Sequence, residues 1–229
     1  MSSPAPLSKD APVVLEAHQI SHSYDRRTMV LDGLDLSLAE GDRVAVVGPS
    51  GSGKTTLLSI LGMLLKPTSG NVVATLHPSA PAAVLRRDYF GWVFQSTNAL
   101  PRRTVLDNVV LPLLARSRPL REAREVAVEL LEEVGLGGLE DQLAYELSGG
   151  ELQRLCIARA LSTAPPVLLA DEPTGQLDED TSHTVIDALV HNLKPPTALL
   201  VATHDLNVAT ACDRIYRLRK GRLEDWRPE

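Results

Sequence analysis

Apolar and polar residues along this chain follow strand-like and helix-like patterns in turn. Strand patterns are predicted at residues 13–21, 30–38, 43–47, 89–94, 167–170 and 198–202, with a closing hairpin at 214–219 and 222–224. Helix patterns are predicted at residues 55–61, 119–134, 149–161, 180–193 and 206–211, and residues 71–87 are less regular. Because strands alternate with helices, the sequence predicts an α/β fold with a mainly parallel sheet that is covered on both faces.

The length and composition fit one such domain. The chain has 229 residues, which suits a single domain at residues 13–229, and residues 1–12, rich in Ser, Pro and Ala, are predicted to be a flexible tail. A formal net charge of −6 disfavours a basic surface for nucleic acid. No apolar run is long enough to span a bilayer, and Cys156 and Cys212 lack the spacing of a metal site or a disulfide framework. We therefore expect a cytoplasmic protein that binds no nucleic acid.

A glycine-rich loop separates the strand at 43–47 from the helix at 55–61. Residues 48–55 read GPSGSGKT and match G-x-x-x-x-G-K-[ST] at every fixed position. Such a loop turns successive backbone N–H groups inward, and the positive end of the following helix adds to their field, so phosphate oxygens can bind there. Lys54 is predicted to reach the β- and γ-phosphates of a nucleotide, and the Thr55 hydroxyl is predicted to ligate Mg²⁺. A glycine turn that merely joins strand to helix is the alternative.

Two carboxylates end the apolar strand at 167–170. Asp171, at the strand tip, is predicted to hold Mg²⁺ directly or through water. Glu172 projects one residue further and is predicted to take a proton from an attacking water, a contribution of about 10²–10⁴-fold in rate. Two exposed carboxylates without a role are the alternative.

The start of the helix at 149–161 carries a second candidate anion site. Ser148 and Glu151 have the spacing of a capping box. Between them Gly149 and Gly150 leave backbone N–H groups bare, and bare N–H groups at a helix N-terminus can bind an anion. One phosphate loop and one spare anion site in a chain suggest that two chains share each nucleotide.

These motifs, in this order, resemble the ATP-binding cassette of ABC transporters from residue 13 to residue 224. The resemblance is carried by the phosphate loop, the signature LSGGELQ at 147–153, the segment DEPTGQLD at 171–178, Gln95 after Phe94, and His204 in the sequence THD. It implies an ATPase built on a phosphate-loop core, with a small N-terminal antiparallel β part and a helical signature subdomain at about residues 96–160. It also implies ATP and Mg²⁺ as cofactors.

The resemblance implies roles for single residues as well. The residues implied to bind nucleotide are Tyr24, Gly48, Ser50, Gly51, Ser52, Gly53, Lys54, Thr55, Thr56, Ser148, Gly149, Gly150 and Asp178. Among these, Tyr24 should stack on adenine. Ser148 and Gly150 should contact the γ-phosphate of the ATP held by the opposite subunit, and Asp178 should cross the dimer interface. Gln95 should touch Mg²⁺ and the attacking water, and His204 should hold the γ-phosphate and orient Glu172, which acts as the base.

Residues 61–70, 90–95 and 173–178 are similar to a branch of this family that contains lipoprotein-release, macrolide-export and cell-division ATPases. The chain departs from that branch at Gln176, where Asn is usual, and in the shorter segment at residues 71–88. The resemblance implies a homodimer or heterodimer of ATPase subunits that acts on an integral membrane permease, at the inner face of the cell membrane, as an exporter. Two alternatives stay open: a force-transmitting or regulatory ATPase without transport, and a soluble ATPase that serves ribosomes or DNA repair.

Overall fold

The strands of this protein form two sheets, which a computed structural model describes over residues 11–25, 27–175 and 177–227. In chain order the strands are β1 (Val13–His22), β2 (Leu31–Ala39), β3 (Arg43–Val47), β4 (Ser69–Ala74), β5 (Phe90–Val93), β6 (Val167–Asp171), β7 (Ala198–Thr203), β8 (Arg214–Arg219) and β9 (Arg222–Asp225). The smaller sheet has the order β2-β1-β4 and is antiparallel. The larger has the order β5-β6-β7-β3-β8-β9. It is parallel except for β9, which pairs antiparallel with β8 as the predicted closing hairpin.

Seven α-helices lie between these strands in the described part of the chain. They are α1 (Lys54–Leu61), α2 (Ala82–Asp88), α3 (Val105–Ala115), α4 (Leu120–Glu133), α5 (Gly149–Leu161), α6 (Glu179–Ile186) and α7 (Leu206–Thr210). A π-helical turn at Asp187–His191 continues α6, and a 3₁₀ turn at Ala144–Glu146 precedes α5. None of the described helices has the length and apolar character needed to cross a bilayer. The α/β fold with a mainly parallel sheet is confirmed.

The parallel sheet is buried on both faces. On β3, Val44 and Val46 belong to a core shared with α1 and the antiparallel sheet, whereas Ala45 and Val47 belong to a second core shared with the helices on the other side. Successive strand residues point to opposite faces, so a strand covered on both sides reads as a continuous apolar run. Cys156 and Cys212 are free buried thiols, and burial raises the pKa of Cys212 to about 12.

Helix α1 ends where the helix pattern at 55–61 ends. Its last residue is Leu61 and Gly62 is its C-cap, so the breaker residues at 66–70 lie beyond the helix. A Cβ on Gly62 would lie 2.1 Å from the Trp92 ring and 2.6 Å from Leu169. Glycine at this position therefore lets the end of the helix approach the sheet closely.

Two further segments are more regular than the sequence pattern indicates. Residues 71–87 contain most of β4, which pairs with β1, and most of α2, which begins after Pro81. Helix α3 was not predicted, because its apolar residues are nearly continuous and Pro112 lies inside it. Thr104 caps α3 by accepting a hydrogen bond from Asp107 N at 3.0 Å, and the helix packs between α4 and α5. Its exposed positions Leu111 and Leu114 are also apolar, so no polar face marks the helical period.

The topology brings the carboxyl ends of β3, β6 and β7 to one edge of the parallel sheet. The phosphate loop follows β3, Glu172 follows β6 and His204 follows β7. Gln95 lies just beyond β5 at the same edge. Residues 1–10 of the predicted tail at 1–12 lie outside the described residues. Gln176 lies outside them as well.

Candidate functional site

The loop at residues 48–53 joins β3 to α1 and requires glycine at both ends. Gly53 is the N-cap of α1 with φ 104°, a conformation that favours glycine, and a Cβ there would lie 2.8 Å from Val30 Cγ1. At Gly48 a Cβ would lie 2.8 Å from Ser52 Oγ and 2.9 Å from a backbone oxygen of β8. Because α1 begins directly after this loop, the unpaired N–H groups of its first turn add to those of the loop.

Lys54 lies buried in this loop and forms an ion pair with Glu172. Its side chain is 6% exposed. The Nζ atom donates to Gly48 O at 2.8 Å and lies 3.1 Å from Glu172 Oε1. A cation held this deeply needs a partner charge, and the carboxylate from the end of β6 supplies it.

Glu172 also contacts His204, which comes from the neighbouring strand. Glu172 Oε2 accepts a hydrogen bond from the backbone N–H of His204 at 3.1 Å and lies 2.8 Å from His204 Nδ1. Glu172 has φ 46°, a strained conformation for a residue with a side chain, and its own N–H donates to Ala202 O at 2.8 Å. The strained backbone aims the carboxylate at the cleft directly after a buried strand, and both of its oxygens are engaged.

Asp171 lies next to this cluster, deeper in the protein. It is 8% exposed, and burial raises the pKa of its carboxyl, while a hydrogen bond from the Thr55 hydroxyl opposes that shift. Asp171 Oδ1 is buried and has no hydrogen-bond partner among the described residues. Mg²⁺ prefers oxygen ligands such as carboxylates and hydroxyls. Asp171 and Thr55 thus form an oxygen ligand set that fits Mg²⁺, with one buried carboxylate oxygen still to be satisfied.

These groups border a cleft of about 470 Å³. The residues that line it are Tyr24, Val30, Ser50, Gly51, Gly53, Lys54, Thr55, Thr56, Gln95, Glu172 and His204. Tyr24 is 68% exposed, its OH lies 3.0 Å from Thr56 Oγ1, and its ring meets that of His22 edge-on at 4.7 Å between centroids. The structure therefore brings an aromatic ring, the phosphate loop, Gln95, Glu172 and His204 to one cavity. Sequence reasoning gave no signal for Val30, which reaches the cleft from the loop before β2.

Six of the predicted nucleotide residues do not line this cleft. Two of them, Gly48 and Ser52, belong to the phosphate loop, whose other predicted nucleotide residues line it. The other four lie at the starts of α5 and α6, and we refer to Ser148, Gly149, Gly150 and Asp178 together as the signature face. Ser148 caps α5, since its Oγ accepts a hydrogen bond from the backbone N–H of Glu151 at 3.4 Å. In return the Ser148 N–H and hydroxyl donate to Glu151 Oε2 at 2.8 and 2.6 Å, which lowers the pKa of Glu151. Asp178 is the N-cap of α6 and is exposed. The capping box predicted from sequence is confirmed.

A contact that sequence reasoning missed links the ends of β6 and β7. Thr174 is 5% exposed, and its hydroxyl donates to Asp205 Oδ2 at 3.0 Å. Asp205 caps α7 by accepting from Asn207 N at 2.8 Å. This bond ties the segment after Glu172 to the segment after His204.

Comparison with known proteins agrees with this geometry. Residues 31–175 match the family model described as ABC transporter. The chain is 43% identical over 220 residues to the lipoprotein-releasing system ATP-binding protein LolD of Legionella pneumophila (strain Lens), covering 92% of this chain and 97% of the relative. It is 42% identical over 229 residues to LolD of Xanthomonas axonopodis pv. citri (strain 306), covering 96% of this chain and 94% of the relative.

A solved structure shows the same architecture. The dimeric structure of a post-hydrolysis state of the ATP-binding cassette MJ0796, bound to ADP and Pi, superposes with a TM-score of 0.80 at 35% identity. The match covers 94% of this chain and all of that one (100%). Family, relatives and fold agree with the motifs that line the cleft. The chain belongs to the ABC transporter family and is one of its ATP-binding, ATP-hydrolysing subunits.

Proposed function

We propose that two copies of this chain, or this chain and a similar subunit, close head to tail around two ATP molecules and thereby drive a membrane permease. One observation carries the proposal. The phosphate loop, Glu172 and His204 share one cleft, whereas the signature face lies apart from it on the same chain. A second chain would bring its signature face to this cleft and complete the site.

Within the cleft each residue has a proposed part in binding. The loop N–H groups and the Thr56 hydroxyl hold phosphate oxygens, and Tyr24 stacks on the adenine. Lys54 leaves Glu172 Oε1 and turns to the β- and γ-phosphates, since a phosphate competes well for an ammonium group. Thr55, Asp171 and Gln95 hold Mg²⁺, which would neutralise phosphate charge.

Glu172 is the proposed general base. Once Lys54 turns to the phosphates, Glu172 Oε1 is free to accept a proton from the attacking water, while Oε2 stays bound to His204. His204 therefore orients the base, and its exposed ring can reach the γ-phosphate. Gln95, which follows the neighbouring strand β5 and also lines the cleft, positions the water.

The γ-phosphate couples this chemistry to movement. In the proposed dimer both chains hold it: one through Lys54, the other through Ser148 and the N–H groups at Gly149 and Gly150. Hydrolysis removes the group that both hold, and the chains separate. A ligand that binds one of two states more tightly drives the change between them.

The named relatives support a proposal for the membrane partner and the cargo. The relatives in Legionella and Xanthomonas are named ATP-binding proteins of lipoprotein-releasing systems. We propose that this chain likewise sits at the cytoplasmic face of the cell membrane, bound to an integral permease that moves lipoproteins or similar amphiphiles.

A Glu172→Gln variant tests the shared site. It should lose about 10²–10⁴-fold in turnover, bind ATP as before, and accumulate on gel filtration as an ATP-dependent species of twice the mass. Glu132→Gln, an exposed change on α4, is the matched control and should hydrolyse and elute like the unaltered chain. Normal turnover by Glu172→Gln would remove it as the base, and full activity of a solitary chain at any protein concentration would contradict the dimer.

The membrane proposal needs its own experiment. Glu172→Gln carrying an affinity tag should co-purify with ATP from detergent-solubilised membranes in a defined complex with an integral membrane subunit. Vesicles that contain the wild-type complex should then release a lipoprotein when ATP is added. Release without ATP, or a stable complex with ribosomes instead, would contradict the proposal; a complex that hydrolyses ATP but releases nothing would favour a regulatory or force-transmitting role.

A further inference from the structure

The two parts of the signature face lie side by side at the starts of adjacent helices. Ser148 caps α5 and Asp178 caps α6, and these helices pack against each other. A Cβ on Gly149 would lie 3.6 Å from Leu177 Cδ2, so the signature turn already touches the residue before Asp178. Sequence motifs assign roles to Gly150 and Asp178 but to nothing that holds the two together.

Thr181, in the first turn of α6, contacts both parts. Its hydroxyl donates to Asp178 Oδ2 and its backbone N–H donates to Asp178 Oδ1, each at 2.9 Å. Its methyl group lies against the signature turn, because a Cβ on Gly150 would be 2.0 Å from Thr181 Cγ2. The Thr181 hydroxyl thus bonds the Asp178 carboxylate, and the Thr181 methyl group lies against Gly150.

This contact is rigid. A β-branched side chain has one χ1 angle for both branches, so the hydroxyl bond to Asp178 also fixes the methyl group at Gly150. The two bonds from Thr181 also lower the pKa of Asp178, which keeps its carboxylate charged and fixed. If Asp178 shifts, the methyl group must shift with it.

We propose that Thr181 is a positioning residue that locks Asp178 and the turn at Gly150 into one arrangement, so that both reach the partner's nucleotide together. The inference rests on the proposed function, in which the signature face completes the partner's site. It adds that this face must be assembled as a unit within each chain before two chains can close.

The hydroxyl and the methyl group of Thr181 can be removed separately by substitution. The variants are made in a Glu172→Gln background, and the ATP-bound dimer is measured by sedimentation at a series of protein concentrations. Thr181→Val keeps a methyl group but removes the hydroxyl, and should weaken the dimer about tenfold, as loss of a hydrogen bond to a charged group predicts. Thr181→Ser keeps the hydroxyl but removes the methyl contact with Gly150, and should weaken the dimer by a smaller factor of about threefold. Both should bind a fluorescent ATP analogue as single chains like the parent.

Thr184→Val is the matched control. The Thr184 hydroxyl donates to the backbone oxygen of Thr181 at 2.8 Å, one turn along the same helix, and it does not cap α6. A merely structural role for Thr181 predicts that the two valine variants lower the melting temperature alike and leave the dimer unchanged. A positioning role predicts that Thr181→Val alone weakens the dimer.

The contact between the Thr181 methyl group and Gly150 is also tested by changing the glycine, in the variant Gly150→Ala. The added Cβ meets Thr181 Cγ2, so this variant should weaken the dimer at least about tenfold. In Gly150→Ala/Thr181→Ser the methyl group is gone, the nearest atoms are Thr181 Cβ at 3.5 Å and Oγ1 at 3.9 Å, and the dimer should recover most of its strength. This pair decides the question even where Thr181→Val fails to fold.

The outcomes separate this inference from the function on which it rests. If the Glu172→Gln parent forms no ATP-dependent dimer, the proposed function and this inference both fail. If the parent dimerises, and neither Thr181→Val weakens the dimer nor Thr181→Ser rescues Gly150→Ala, the inference alone is overturned. A fall in ATP affinity of the single chain would also overturn it, because Thr181 would then act on the chain's own cleft.

Discussion

The phosphate-loop cleft and the signature face are built in different ways. The cleft joins residues far apart in sequence: Lys54 forms an ion pair with Glu172, and Glu172 is hydrogen-bonded to His204. The signature face is built from two short local turns, in which Ser148 pairs with Glu151 and Asp178 with Thr181. The polar contacts of the cleft thus form within one chain, whereas the signature face presents two ordered helix starts that, in the proposed dimer, meet the nucleotide of the partner. Substitutions that remove a charge should therefore impair the cleft, and substitutions that change the shape of the signature face should impair that face.

Among the substitutions that distinguish the cleft from the signature face, Lys54→Ala should have the largest effect. Loss of the buried ammonium group removes charged hydrogen bonds worth about 1.5–3 kcal/mol and leaves Glu172 without its partner, so ATP affinity of the single chain should fall about 10- to 100-fold. Titration with a fluorescent ATP analogue measures it. Lys66→Ala, an exposed change after α1, is the control, and equal affinity in the two variants would show that the cleft does not use this charge.

Ser148→Arg should have the opposite pattern of effects, on turnover and not on ATP binding. The bulky side chain covers the signature face, so turnover should fall about tenfold or more while ATP affinity of the single chain stays the same. Thr104→Ala removes the comparable cap of α3 and should cost about 1 kcal/mol of stability without loss of turnover. If Ser148→Arg weakened ATP binding to the single chain, the two regions would not be separate.

A smaller effect is expected from Glu151→Gln, and it should depend on pH. The Ser148 hydroxyl and N–H lower the pKa of Glu151 in the folded protein, so the charged carboxylate adds stability above its unfolded pKa. That stability is lost as pH falls through the lower folded pKa. Melting curves should place the variant below the unaltered chain by about 0.5–1 kcal/mol at pH 7, with the difference vanishing in acid. A constant difference at all pH values would argue against this cause.

The smallest effect is expected from Tyr24→Phe. The ring is retained and one hydrogen bond, from Tyr24 OH to Thr56 Oγ1, is lost. Because ATP would displace that bond in any case, affinity for ATP should change by less than about threefold. Tyr24→Leu, which removes the aromatic face, should weaken binding more, and equal effects of the two changes would count against stacking.

Short stretches of sequence were enough to predict the phosphate loop and the turn at Ser148, but not how these parts pack against the rest of the chain. The loop at 48–55 and the capping box at Ser148 each follow from a few adjacent residues, and both have the expected form. Helix α3 could not be predicted, since its exposed positions Leu111 and Leu114 are apolar and leave no polar face to mark the helical period. The end of α1 was predicted, but the close approach of Gly62 to Trp92, a residue of a distant strand, was not.

Most of the strand and helix order, the phosphate loop and the acidic end of β6 follow from the sequence, because each depends on residues close together along the chain. The order of the motifs along the chain indicates the family. The Lys54–Glu172 ion pair and the contact of Thr181 with Gly150 emerge only in the folded chain. Parallel strands bring distant carboxyl ends to one edge of the sheet, and two helix starts meet only when their helices pack. Short sequence patterns do not encode these distances between elements.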